Sequence, residues 1–142
     1  MKELTEGEKG YLAGIIDGEG WIGINSKIRI WNSKEYKSFS LRIVVNNTSA
    51  VLADWLHQIC GYLYQRKPDA RSGGKKIVYN WNVGDKQAGE VLEVILPYLK
   101  IKRQKAEAGI AFQSLQSKAR WKNLSSLNKE LKEFLKNYIS VS

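Results

Sequence analysis

At 142 residues the chain has the size of one domain and can bury a core without disulfide or metal staples. A hydrophobic fraction of 43%, with five Trp and seven Tyr, excludes a mainly disordered polypeptide. The 23 Lys and Arg against 14 Asp and Glu leave a formal charge of +9, which favours a polyanionic partner without choosing between DNA, RNA and an acidic membrane surface.

No apolar run approaches the roughly 20 residues that span a bilayer, and the N-terminal MKELTEGEKG is too polar for a secretory signal. Cys60 is the single cysteine, which permits no internal disulfide and no cysteine-based metal cluster. These features predict a soluble, intracellular protein with no membrane partner, in the cytoplasm or nucleoid of a prokaryote or in an organelle matrix.

The first element is a short helix: Thr5 and Glu8 form a capping-box pattern, and the apolar stretch from Tyr11 continues to about Asp17. From Trp21 to Trp31 the period changes to two, with Ile22, Ile24, Ile28 and Ile30 on one face and Gly23, Asn25, Lys27 and Arg29 on the other. NSKEYKS reads as a turn, and Phe39, Leu41, Ile43 and Val45 alternate with polar residues as a second, antiparallel strand. A helix follows over 49–60, capped by Thr48 or Asn47 and ended by Gly61.

Strands are predicted over 62–67 and 76–83, joined by the PDARSGG loop. Helices follow over 86–96, stopped by Pro97, over about 98–116, and over about 126–139. The order α-β-β-α-β-β-α-α-α is that of one α+β domain over 1–142, most economically a four-stranded antiparallel sheet with helices on one face.

Within YLAGIIDGEGWIGI, the segment Gly18 to Gly23 fits G-x-G-x-x-G. A dinucleotide fingerprint needs a strand before those glycines and a helix after them, so that the helix N-terminus faces the pyrophosphate. Here the order is reversed, which excludes that use. Gly10, Gly14 and Gly18 recur every four residues instead, and because an interior Gly costs a helix roughly 1 kcal/mol against Ala, such a ridge points to close approach of another backbone.

Leu12-Ala13-Gly14-Ile15-Ile16-Asp17-Gly18-Glu19-Gly20 resembles the motif of the LAGLIDADG homing endonucleases, matching six of the nine letters of that name. The helix before it, the strand after it and the subsequent α-β-β-α-β-β-α order are also similar. The resemblance implies a curved sheet acting as a DNA saddle, with helices on the opposite face and an added C-terminal helix. One motif per chain implies a homodimer whose two motif helices pack side by side through Gly10, Tyr11, Gly14, Ile15 and Gly18.

It further implies Mg²⁺-dependent, site-specific cleavage of double-stranded DNA in a long, near-palindromic target by an intron-encoded enzyme. Mn²⁺ should substitute, and Ca²⁺ should support binding without cleavage. Glu19 maps onto the motif's metal-binding acid, beside the Gly18 carbonyl, and Mg²⁺ suits such a sparse oxygen site. Asp17 reads as a hydrogen-bonding group at the helix end, outside the metal site. Lys102, with Lys100 as the fallback, resembles the family lysine near the scissile phosphate. Asn47 has two readings, a helix cap or the polar residue that orients water.

The polar strand positions Asn25, Lys27, Arg29, Trp31, Ser38, Ser40, Arg42, Asn46, Tyr64 and Arg66, with Lys76 and Asn80, are candidates for DNA contact. Arg and Lys suit guanine edges and Asn suits adenine. His57 is the only histidine, which argues against histidine-metal nucleases, and no Glu-x-Lys follows Pro68-Asp69 to complete another metal-nuclease signature. A non-cleaving protein, either an RNA maturase assisting intron splicing or a DNA-binding regulator, is the second reading of the same residues.

Overall fold

The computed structural model describes residues 1–67 and 76–119, together with Glu133, Lys136, Asn137 and Ile139. Helix α1 (Glu6–Glu19) leads into β1 (Gly20–Trp31), β2 (Lys34–Asn47), α2 (Ala50–Ile59), β3 (Tyr62–Arg66), β4 (Val78–Gly84), α3 (Asp85–Ile95), a 3-10 turn (Leu96–Tyr98) and α4 (Arg103–Ala119). All strand pairs are antiparallel, in the order β1-β2-β4-β3.

Alternation sets the two faces. Ile22, Ile24, Leu41, Ile43, Val45, Trp81 and Val83 are buried against the helices, whose contributions include Leu12, Ala13 and Ile16 of α1, Leu56 of α2, Leu92 and Ile95 of α3 and Phe112 of α4. Each such Leu, Ile or Phe gains about 1.5–3 kcal/mol by leaving water. The other face of the sheet carries no helix among the described residues.

Several boundaries differ from those read in the sequence. The capping box forms, with Thr5 and Glu8 bonding reciprocally, but α1 runs to Glu19 rather than Asp17. Asn32 and Ser33 both take positive φ, at 50° and 61°. They make a two-residue turn whose twist suits a hairpin, so β2 begins at Lys34 and the longer turn expected there is mostly strand. The hairpin projects past β4, which pairs with β2 only over Arg42–Asn47. Ile28 and Ile30, expected inside, are therefore 67% and 74% exposed.

Ser49 caps α2 by accepting from the Leu52 N–H, a role expected of Thr48 or Asn47. Gly61 then takes φ +83°, and a Cβ there would fall 2.7 Å from the Asn82 carbonyl oxygen, so glycine is required on both counts. The helix expected from about residue 98 begins at Arg103, after the Pro97 turn and an extended Leu99. Of the last helix, Glu133, Lys136, Asn137 and Ile139 are helical, Ile139 is buried and the Lys136 ammonium donates to Ser26 Oγ at 2.8 Å; its remaining residues and the loop 68–75 lie outside the described residues.

Candidate active site and nucleic-acid interface

Where α1 ends, Gly20 turns the chain into β1. A Cβ on Gly20 would sit 2.8 Å from both the Cα and the carbonyl oxygen of Ile16, so this glycine allows strand and helix to meet without a gap. Glu19 is thereby held exposed at the helix end, next to the sheet.

Two other segments converge on that end. From β2, the Asn47 side-chain amide donates to Glu19 Oε2 at 2.7 Å, while Asn47 Oδ1 accepts the Ser49 N–H at 2.7 Å. Asn47 thus serves the turn into α2 and touches the carboxylate as well. Glu19 keeps further lone pairs for another partner.

From the loop before α4, the N–H groups of Lys100, Ile101 and Lys102 donate to the Asp17 carboxylate at 2.7, 3.3 and 3.0 Å. Burial pushes the Asp17 pKa up, but these main-chain bonds outweigh it and hold the carboxyl below its usual range. Lys102 is folded back by this clamp. Its ammonium donates to the carbonyl oxygens of Ile16 at 2.7 Å and Asp17 at 2.9 Å, placing a cation on the negative end of the α1 dipole.

An ammonium has three N–H donors, so two bonds to carbonyls leave one for an anion. Burial lowers the Lys102 pKa, and the nearby Asp17 charge opposes that shift. Lys100, the fallback, is exposed and holds the clamp through its main chain. Lys102 is therefore the lysine brought to the end of α1.

Among the described residues no group of three His, Cys, Asp or Glu could hold a metal ion. The donor set that does converge is one exposed carboxylate, Glu19, beside last-turn carbonyls that include Gly18. Mg²⁺ takes few protein oxygens and keeps waters and substrate phosphates as its other ligands. The residues fit such an ion in the company of a phosphate backbone, and do not form a closed cage.

The register assembles the candidate interface on the open face. Asn25 pairs with Ser40, Lys27 with Ser38, Gly23 with Arg42, Asn46 with Asn80, and Asn80 with Tyr64, while Arg29, Trp31 and Arg66 continue the same parity. Lys76 precedes β4, so it is not a strand position. Several side chains are already engaged: Ser40 Oγ donates to Asp85 at 2.9 Å, Ser38 Oγ to the Lys27 carbonyl at 3.4 Å, and the Asn80 amide to Asn46 at 2.7 Å.

The same face includes three residues absent from the candidates named above, Trp21, Tyr62 and Asn82, because Trp21 pairs with Val44, Val44 with Asn82 and Asn82 with Tyr62. Parity with Gly23, Tyr64 and Asn80 was the signal that could have found them. Trp21 is 45% exposed and its ring covers Gly23, where no side chain would fit.

On α1, the surface opposite the core carries Gly7, Tyr11, Gly14 and Gly18, all exposed, with nothing within 4 Å of a Cβ at Gly14 or Gly18. Ile15 is half-buried at the edge of the core. Gly10 departs from the expected ridge: it is half-buried, and its Cβ would lie 3.8 Å from the Tyr98 ring of its own chain. Each step of four residues rotates about 40° around the helix, so a four-residue repeat drifts off a single stripe. Beside the stripe, Tyr11 meets Trp55 of α2 edge to face, with ring centroids 5.2 Å apart.

The helix-backed, open four-stranded sheet entered from the end of α1 is the fold of the LAGLIDADG homing endonucleases. The solved homing endonuclease I-CvuI, in complex with the I-CreI target, is similar with a TM-score of 0.68 and 18% identity, over 94% of this chain and 80% of that one. The archaeal intron-encoded homing endonuclease I-Vdi141I, complexed with DNA, has a TM-score of 0.66 and 11% identity over 96% of this chain and 84% of its own. For the group I intron-encoded I-CeuI with DNA the values are 0.62 and 17%, over 84% and 59%. No protein-family model matches the sequence, and no curated protein matches it.

Proposed function

We propose that the chain is a LAGLIDADG homing endonuclease of the single-motif type, cleaving double-stranded DNA at a long, near-palindromic site as a homodimer with divalent metal ions. The observation that carries this reading is the convergence at the end of α1. There an exposed Glu19 is fixed by Asn47 and Lys102 is folded onto the last-turn carbonyls, at the margin of an open face bearing Asn25, Lys27, Arg29 and Arg42. The solved neighbours with the same fold are complexes with DNA, and I-CvuI was solved in the presence of Mg on one target and of Ca on another.

Glu19 and the Gly18 carbonyl would hold Mg²⁺, for which Mn²⁺ would substitute. When bound, the ion supplies charge stabilisation at phosphorus and an activated water. Asn47 orients the Glu19 carboxylate and offers an amide where a water would enter. Lys102 presents its remaining N–H to a phosphate oxygen, and Asp17 fixes the loop that brings it there. The strands supply register on the duplex through Lys and Arg at phosphates and base discrimination through Arg and Asn in the major groove.

Two copies related by a two-fold axis would pair the Gly7–Tyr11–Gly14–Gly18 stripes and set two Glu19 sites on opposite DNA strands. Incubating the purified protein with a randomised duplex library and Mg²⁺, then sequencing cut and surviving molecules, tests activity and target together. A defined cut site sustains the proposal. Selective retention of duplex or intron RNA without any cut would replace it by a binding role, as regulator or maturase.

A further inference from the structure

One row across the open face runs Gly23, Arg42, Gly84 on β1, β2 and β4. Both glycines are covered by a neighbour's side chain. The Trp21 ring lies over Gly23, and the Arg42 guanidinium lies over Gly84, where a Cβ would fall 2.8 Å from Cζ and 3.3 Å from Nε. Arg42 Nη1 also donates to Asn82 Oδ1 at 3.4 Å.

Gly84 is not required by its backbone. Its φ of −126° and ψ of 155° lie in the extended region open to every L residue. It stands at the N-cap of α3 and gives that helix no side-chain cap, although Ser, Asp or Asn there would satisfy an orphan N–H. What glycine provides at this position is room for the Arg42 guanidinium.

We infer that Gly84 and Asn82 are specificity-determining positioning residues, which seat Arg42 as a preset hydrogen-bonding plane for a guanine edge. The inference rests on the open face being the DNA-reading surface. One of the five guanidinium N–H donors is directed to Asn82, and a parallel pair on two nitrogens, Nε with Nη2 or one N–H from each Nη, remains for the O6 and N7 acceptors of guanine. An arginine already seated against the sheet loses less rotamer freedom on docking than one extended into solvent.

The test measures binding in Ca²⁺ to the duplex selected from a randomised library and to its single-base-pair variants, for the parent, Arg42→Ala, Asn82→Ala and Gly84→Ala. Arg42→Ala is expected to lower discrimination at one G·C pair in each half-site by about 5- to 150-fold. Asn82→Ala and Gly84→Ala should relax that same pair by a smaller factor, leave the other positions unchanged, and add nothing in the Arg42→Ala background. A general loss of structure would weaken all sequences and would not show that non-additivity.

If Arg42→Ala relaxes a pair that the other two variants leave untouched, the positioning role is overturned while the DNA-reading face stands. If Arg42→Ala weakens every sequence equally, or the parent selects no duplex, the reading beneath it falls too. Should Gly84→Ala melt early, Asn82→Ala decides the outcome alone.

Discussion

The Asn47 side-chain amide and the Glu19 carboxylate are joined by a 2.7 Å hydrogen bond that links the end of β2 to the end of α1. The orientation of that amide is fixed from its other end, because Oδ1 accepts the Ser49 N–H and only the NH₂ is left to face Glu19. One residue thus couples the start of α2, the central β2–β4 pair and the exposed carboxylate. This coupling separates what Glu19 does chemically from what holds it.

Glu19→Gln keeps the size of the side chain and an oxygen for the Asn47 amide, but removes the charge that a metal ion needs. Cleavage with Mg²⁺ should fall by at least about 100-fold, while binding in Ca²⁺ and the melting temperature stay close to the parent. Single-turnover cleavage and a binding titration on one duplex measure the two effects. Substantial Mg²⁺-dependent cutting by this variant would remove Glu19 from the site.

For Asn47→Ala the expectation is graded. Loss of a group that orients a metal-binding carboxylate typically costs about 10- to 100-fold in activity or metal affinity, and raising the Mg²⁺ concentration should recover part of it. The lost bond to Ser49 should separately cost about 0.5–1.5 kcal/mol of stability. A variant that loses stability but cuts at the parental rate would confine Asn47 to the turn.

The sequence made the element order, the buried strand face and the parity of the open face legible, since alternation at Ile22, Ile24, Leu41 and Ile43 survives into the fold. Other features depend on contacts between distant segments. The Asn32-Ser33 turn needed two positive φ values at residues other than glycine, a weaker signal than Asn-Gly. Helix α4 starts late because Asp17, more than 80 residues upstream, takes the N–H groups of residues 100–102. The seat of Arg42 on Gly84 likewise depends on strand register, which composition does not encode. In the same way, Gly10 was read with Gly14 and Gly18 from spacing alone, and Tyr98 claims it.

Asp17 gives a dependence on acid. A carboxylate whose folded pKa is depressed stabilises the protein above its unfolded pKa and loses that contribution as the pH falls through the folded value. The main-chain bonds from residues 100–102 depress Asp17. The parent should therefore exceed Asp17→Asn by about 1–3 kcal/mol near neutrality, and the gap should close below about pH 4. Urea denaturation of both proteins across that range checks the sign. A gap that is constant with pH would mean that the charge is not what holds the Lys100–Lys102 segment.

Gly14 tests the dimer, because within one chain a Cβ at this position meets nothing within 4 Å. On an isolated, exposed helix, Gly14→Leu should stabilise the fold by about 1 kcal/mol through helix propensity. If two α1 stripes pack together, the same change inserts four carbons between backbones at close approach and should cost about 1–3 kcal/mol at each of two symmetric sites. Neither helix can retreat freely, since Glu19 at its end is tied to Asn47 and Lys102 is bonded to its last turn. The two effects have opposite signs, so the outcome discriminates. Sedimentation should show Gly14→Leu as a monomer or a swollen dimer with little cleavage activity, although its monomer fold is intact by circular dichroism. A fully active and more stable dimer would show that α1 does not form the contact between copies.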